Sequence, residues 1–143
     1  MDAPNPYAPP NATVADADRA GADIDALDVS ESWKKRFRLI RRAGGPGMPH
    51  AKDLSFGERS RIMFNVLAFL FGPVYYLFKG MWRKALTLFV SVTAVVFVIA
   101  LILELNGLGE YSRSLAYGAA AFFGIRANVD YYKKMVLRED GWW

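Results

Sequence analysis

The sequence predicts an all-α integral membrane protein, and three features indicate that fold class. Residues 85–103 are nineteen consecutive residues without a charge, which at about 1.5 Å per residue cover the roughly 30 Å hydrocarbon core of a bilayer. A Gly-Pro pair interrupts an earlier apolar run, and cations cluster at the expected cytoplasmic ends of the apolar segments. We therefore expect a disordered N-terminal tail, a basic amphipathic interfacial helix, a broken or re-entrant first hydrophobic helix and two transmembrane helices.

Residues 1–29 are predicted to form a disordered acidic tail that is rich in Ala, Pro and Asp. Such a segment buries too little apolar surface to offset the entropy of ordering the chain. The alternative is a docking peptide at Asn5-Pro6-Tyr7.

Residues 30–44 are predicted to form a basic amphipathic helix. Trp33, Phe37 and Ile40 share one face of this helix, because they lie at positions i, i+4 and i+7. We expect this face to enter the acyl boundary while the surrounding cations bind anionic lipid head groups. The alternatives are a solvated helix packed on another domain and a nucleic-acid surface, but no nucleic acid is expected because no binding motif accompanies the charge. The predicted lipid and interface residues are Trp33, Lys34, Lys35, Arg36, Phe37, Arg38, Arg41, Arg42 and Trp82.

A flexible linker at residues 45–54 precedes a predicted broken helix at residues 55–80. Ser55 and Glu58 have the spacing of a capping box, in which each side chain satisfies a backbone N–H of the other residue, so a helix should begin directly after Ser55. The predicted helix break is at Gly72-Pro73, because proline removes one helical hydrogen bond and glycine suits a helix end.

Two topologies are consistent with this break. In the first, residues 62–78 span the bilayer with a kink, which places Lys79, Arg83 and Lys84 on the outer side. In the second, the chain enters, breaks at the Gly-Pro pair and returns, which keeps these cations on the cytoplasmic side. The re-entrant form is favoured because it satisfies the positive-inside rule at every connection.

The second half of the chain is predicted to cross the membrane twice. Its segments are a transmembrane helix at 81–103, an external loop at 104–114, a second transmembrane helix at 115–129 and a cytoplasmic tail at 130–143. In the second helix Ala116, Ala120 and Gly124 recur every fourth residue, and small residues at that spacing let two membrane helices approach closely. The alternative is an alanine-rich helix without a packing surface.

The sequence predicts a non-enzymatic accessory or scaffold protein that acts through helix packing and through binding of lipid or a protein partner. A membrane enzyme needs a cluster of reactive side chains at one depth, yet the chain has one His and no Cys. No catalytic, cofactor-binding or metal-binding residue is therefore predicted. The expected partners are lipids with anionic head groups and a membrane protein or a second copy of the chain. The alternative is an oligomeric transport or channel component that uses the polar candidates Asn65, Arg126 and Asp130.

Several stretches of the chain resemble one known family. SWKKRFRLI, LSFGER, FNVLAFLFGPVYYLFKGMWRKAL and ANVDYYKK are similar to the HrgC-like bacterial membrane proteins, a domain of unknown function numbered 2628. The resemblance implies a small protein of the bacterial inner (cytoplasmic) membrane and no particular activity. With the charge distribution, it predicts a multi-pass protein whose two termini are cytoplasmic. The motif residues are Phe71, Gly72, Pro73, Tyr75, Tyr76, Lys79, Met81, Trp82 and Lys84.

Overall fold

The structure is a computed structural model that describes residues 23–143, and these residues form six α-helices and no β-strand. The helices are α1 (Glu31–Arg42), α2 (Phe56–Met63), α3 (Val66–Phe71), α4 (Pro73–Phe78), α5 (Trp82–Leu105) and α6 (Ser114–Met135). Two short 3-10 turns lie at Ala51–Asp53 and Gly109–Arg113. The predicted all-α class is thus confirmed for the described residues, whereas the possible docking peptide at Asn5-Pro6-Tyr7 lies outside them.

The segment before α1 differs from the sequence expectation. Residues 23–29 were expected to belong to the disordered tail, but Ile24 and Leu27 are buried in the core. Asp25 forms an ion pair with Arg38, and its carbonyl oxygen accepts a hydrogen bond from Lys34 Nζ at 2.9 Å. The acidic segment is ordered because the cations of α1 bind it, an effect that the composition of the segment alone does not show.

The apolar face of α1 packs against the last turns of α6. The Phe37 ring lies 5.6 Å from the Tyr131 ring and 5.8 Å from the Tyr132 ring, and both Phe37 and Ile40 are fully buried. The expectation that this face enters the acyl boundary is therefore wrong for these two side chains. The reason is a tertiary contact: the aromatic rings of α6 cover this face, so it is not available to lipid.

Residues 56–78 form three short helices. The predicted capping box is present: Ser55 Oγ accepts from the Glu58 N–H, and the Glu58 carboxylate accepts from the Ser55 N–H. The expected helix between Ile62 and Phe71 is broken at Phe64, whose backbone is extended. Helix α3 then begins directly after Asn65, which is its N-cap residue. A second break follows at Gly72, whose φ of +49° is one that glycine adopts readily.

Helices α3 and α4 form a hairpin in which the start of α3 contacts the first turn of α4. Asn65 Nδ2, at the start of α3, donates a hydrogen bond to the Tyr75 hydroxyl in α4 at 2.9 Å. The backbone N–H of Asn65 donates to the Gly124 carbonyl oxygen of α6 at 2.8 Å. The chain therefore folds back at Gly72, and α6 satisfies the backbone N–H that follows the break at Phe64.

Within residues 23–143, α5 is the only helix that is long and apolar enough to cross a bilayer by length and composition. Only 6% of its most apolar 18-residue window is buried inside the protein. Helix α6 runs antiparallel to α5 but does not meet the same test, because polar and charged residues occupy its second half. The predicted second span is therefore not confirmed.

The core lies at the start of α5 and the end of α6. Tyr76, Met81, Leu88, Ala127 and Val136 are buried there. The other half of the α5–α6 pair is mostly exposed. The polar and charged side chains described below lie at the packed end of the molecule.

Candidate functional site

Two buried amides connect the hairpin to α6. Asn65 Nδ2 donates to Asn128 Oδ1 at 2.9 Å, and Asn65 Oδ1 accepts from the Ala68 N–H at 3.1 Å. Asn128 Nδ2 donates to the carbonyl oxygens of Arg61 and Ile62, both at 3.1 Å. These bonds satisfy the carbonyl groups at the end of α2, which would otherwise lack partners because the helix stops there.

A buried charge cluster lies two residues further along α6, at Asp130. Lys84 Nζ is 3.5 Å from Asp130 Oδ1, and each of the two residues is 1% exposed. Asp130 Oδ2 accepts from the Tyr76 hydroxyl at 3.1 Å and from Arg126 Nε at 3.0 Å. Among residues 23–143 Lys84 Nζ has no hydrogen-bond partner, so the ion pair alone compensates its charge.

The two clusters hold five helices together. Asn128 joins α6 to α2 and α3, whereas Asp130 joins α6 to α4 and α5. Removal of one partner from a buried ion pair leaves an uncompensated charge and typically costs about 3–5 kcal/mol. The arrangement therefore fixes the position of the hairpin and of the start of α5 relative to α6.

A cavity of about 510 Å³ opens beside the hairpin. We call it the cationic pocket, and its lining residues are Trp33, Arg36, Ser60, Arg61, Phe64, Asn65, Val66, Leu67, Tyr75 and Lys79. Its cations come from three separate segments: α1 supplies Arg36, α2 supplies Arg61 and the turn after α4 supplies Lys79. Aromatic rings form a second part of the wall, and apolar side chains of α3 form a third.

Lys79 is held by aromatic rings at the edge of this pocket. Its Nζ lies 4.7 Å from the centre of the Trp33 ring, 4.6 Å from Tyr131 and 5.9 Å from Tyr75. The Arg36 guanidinium lies 4.6 Å from the same Trp33 ring. The rings thus stabilise two neighbouring cations through their negative faces.

The pocket has an excess of positive charge. Burial lowers the pKa of Arg36, and the charge of Arg61 lowers that pKa further. Burial also lowers the pKa of Lys79, with a further lowering from Arg36. No carboxylate of residues 23–143 forms an ion pair with any of these three cations, so their mutual repulsion is uncompensated within that part of the chain.

The predicted lipid and interface residues occupy different environments. Trp33 and Arg36 line the cationic pocket, whereas Phe37 is buried in the core. Trp82 is exposed and makes an edge-to-face contact with Trp142, with the ring centres 5.7 Å apart. The cations of α1 that are exposed are Lys35, Arg38 and Arg42, and the half-buried ones are Lys34, Arg36 and Arg41.

The predicted helix-packing residues also divide. Gly124 is buried under the hairpin, where a Cβ atom would lie 2.9 Å from the Phe64 ring and 3.1 Å from Phe69 Cβ. Ala120 is half-buried, and Ala116 is exposed. The close approach at Gly124 is therefore made to the hairpin of the same chain. Of the three small residues, Ala116 is the one left exposed to a partner.

The polar candidates Asn65, Arg126 and Asp130 all belong to the buried clusters, but sequence reasoning missed several of their partners. The sequence indicates Lys84 only as a marker of the membrane side, and Tyr76 only as a motif residue of the family resemblance. One signal was available for Lys84: it is the last charge before nineteen uncharged residues, so it lies where an acidic partner on a returning helix is favourable.

Comparison with known proteins agrees with the earlier resemblance. Residues 18–136 match the family described as "Protein of unknown function (DUF2628)". The chain is similar to "Uncharacterized protein YigF" of Salmonella typhimurium, with 31% identity over 127 residues that cover 83% of this chain and 94% of the relative. It is also similar to the protein of that name in Escherichia coli K12, with 30% identity over 122 residues, 80% of this chain and 90% of the relative. No solved structure matches. The match over most of the chain shows that this protein belongs to the DUF2628 family.

Proposed function

We propose that the protein is a small, non-enzymatic accessory protein of the bacterial inner membrane that acts by packing against a membrane partner. The observation that carries this proposal is the surface of α5, where an apolar window of 18 residues is almost entirely uncovered by the rest of the chain. An apolar surface of this length is stable only in contact with lipid or with another protein.

The hairpin supports the same placement. Its outward side chains are apolar and exposed, and they are Val66, Leu67, Leu70, Phe71, Val74, Leu77 and Phe78. Because α4 folds back against the start of α3, we infer that the hairpin enters and leaves the membrane on the same side. The backbone at its start is satisfied by α6, as a break within a bilayer requires.

The use of the buried polar side chains supports an accessory role. Asn65, Asn128 and Asp130 each bind two or more groups that connect helices. These side chains are therefore engaged in structure, whereas a catalytic group needs access to a substrate. Asn65 and Asp130 are also, together with Arg126, the candidates for the alternative function in transport, which the fully buried Lys84–Asp130 pair favours.

We infer that the partner packs against α6 at Ala116, because that position is exposed and small residues permit close helix approach. Ala116→Leu should abolish co-purification of the partner from native membranes, while Ala116→Ser, which keeps the side chain small, should preserve it. Both variants should fold, since position 116 is exposed. In contrast, Gly124→Leu should lower the yield of folded protein because of the close contacts with Phe64 and Phe69.

If Ala116→Leu folds and still associates with the partner, the proposal that the partner packs at this surface is wrong. The transport alternative would be supported instead if reconstituted vesicles showed an ion flux that Asp130→Asn abolishes and Ala116→Leu retains. A protein that fractionates with the cytosol in intact cells would contradict the membrane location altogether.

A further inference from the structure

We propose that the cationic pocket binds the head group of an anionic glycerophospholipid, with the phosphate at Arg36 and Arg61 and the acyl chains directed along α3. This inference rests on the proposed membrane location, because it requires lipid at the surface of the hairpin. It goes beyond general attraction of the basic helix to anionic membranes, since it assigns one cavity and a small set of residues.

The first argument is charge. Arg36, Arg61 and Lys79 line one cavity, and no acidic side chain of residues 23–143 forms an ion pair with them. Three like charges in a partly buried cavity are costly, and an anion that enters it removes that cost. A phosphate diester suits two guanidinium groups in particular, because each planar group can donate two parallel hydrogen bonds to phosphate oxygens.

The second argument is the composition of the wall. On the side of the hairpin the cavity is lined by Phe64, Val66 and Leu67, and all three side chains are exposed apolar groups. The pocket is therefore amphipathic: its cations suit a phosphate, and its apolar side continues onto a surface that lipid is proposed to cover. A free phosphate or a soluble phosphate ester would contact the cations but not the apolar side of the pocket.

The third argument excludes a cationic head group. The Trp33, Tyr75 and Tyr131 rings form the kind of aromatic cage that binds quaternary ammonium groups, but the Lys79 ammonium already occupies it. A choline group would have to displace Lys79 and approach Arg36. We therefore expect phosphatidylglycerol to bind and phosphatidylcholine to bind much more weakly.

The test uses the full chain in an uncharged detergent, with phosphatidylglycerol or phosphatidylcholine added and bound lipid counted by native mass spectrometry. Arg36→Gln and Arg61→Gln should each weaken phosphatidylglycerol binding by about tenfold or more, as expected for loss of a charge-assisted hydrogen bond. The matched controls are Lys35→Gln and Arg59→Gln. They remove the same charge from the same two helices at positions that do not line the pocket. Because they lie outside the pocket, they should change binding by less than about twofold.

Equal weakening by pocket and control variants would overturn the pocket assignment, because it would show a general effect of charge. Competition by inorganic phosphate or glycerol 3-phosphate at micromolar concentration would overturn the lipid as ligand and identify a soluble phosphate compound. Circular dichroism melting checks that each variant is folded, and Arg36→Lys, which keeps the charge, should retain more binding than Arg36→Gln. Because fractionation of cells tests membrane location separately, failure of lipid binding in a membrane-located protein would reject this inference alone.

Discussion

Asn65 is the residue at which the most structural roles coincide. Its side chain caps α3, binds Asn128 and binds Tyr75, while its backbone N–H binds the Gly124 carbonyl. A single hydrogen bond between membrane helices is worth only about 0.6 kcal/mol on average. The contribution of Asn65 to stability should exceed that value, because its loss leaves α3 without a cap and leaves the buried Tyr75 hydroxyl and Asn128 Oδ1 without this partner.

We predict that Asn65→Leu lowers the free energy of unfolding by about 2–4 kcal/mol, the sum expected for a lost cap and unsatisfied buried partners. Denaturant titration of the purified protein in detergent measures this change. Asn106→Leu is the matched control, because that amide is exposed and binds only its own helix, and it should change stability by less than about 0.5 kcal/mol. Equal effects of the two substitutions would show that the buried network contributes little.

At the scale of elements, α1 and α2 are joined by an ion pair that includes the capping box. The Arg42 guanidinium binds the Glu58 carboxylate, and this carboxylate also accepts hydrogen bonds from the Ser55 backbone and hydroxyl. Mainly through Arg42, and further through Ser55, the pKa of Glu58 falls from its ordinary value of 4.5 to about 2. The start of α2 is therefore linked to the end of α1 through one ionised side chain.

This pKa shift predicts the pH dependence of stability. Because the pKa of Glu58 is lower in the folded protein, its stabilising contribution is fully present above pH 4.5 and is lost as the pH falls towards about 2. The difference in unfolding free energy between the wild type and Glu58→Gln should therefore be largest near neutral pH and shrink across that window. Urea titrations at several pH values measure it. Glu110→Gln, at the other end of α5, is the control. The same pH dependence of its effect on stability would contradict the assignment of this dependence to Glu58.

The elements that depend on local sequence were predictable, and those that depend on distant contacts were not. The long helix α5 and the capping box follow from a run of uncharged residues and from the Ser-x-x-Glu spacing, and both are present. The packing of Tyr131 over Phe37 and the break at Phe64 depend on the position of α6, which no local sequence pattern contains. The cationic pocket was missed for the same reason, since its three cations meet only when the hairpin closes.

At the scale of the whole molecule, the described helices have a packed end and a bare end. The buried clusters and the cationic pocket lie where α1, α2 and the hairpin meet the end of α6. The turn at Gly109–Arg113 lies at the opposite end of α5. If α5 crosses the membrane as proposed, these two ends must lie on opposite sides of it.

Cysteine labelling of intact cells tests this topology, and the chain has no native cysteine to interfere. Lys52→Cys, Glu110→Cys and Glu139→Cys place single thiols at exposed positions. A membrane-impermeant reagent should modify only position 110, whereas all three should react after permeabilisation. A full span at residues 62–78 would give the reverse pattern, with position 110 protected and position 139 modified.

The short length of the hairpin has a consequence for the shape of the bilayer. Helices α3 and α4 contain six residues each and rise about 9 Å, which is less than one half of a hydrocarbon core roughly 30 Å thick. In the proposed placement the hairpin displaces lipid from one leaflet only, while α5 displaces it from both. The protein then occupies more area in the cytoplasmic leaflet than in the outer one, so clusters of it should bend the membrane towards the cytoplasm and should collect where the membrane already curves in that direction.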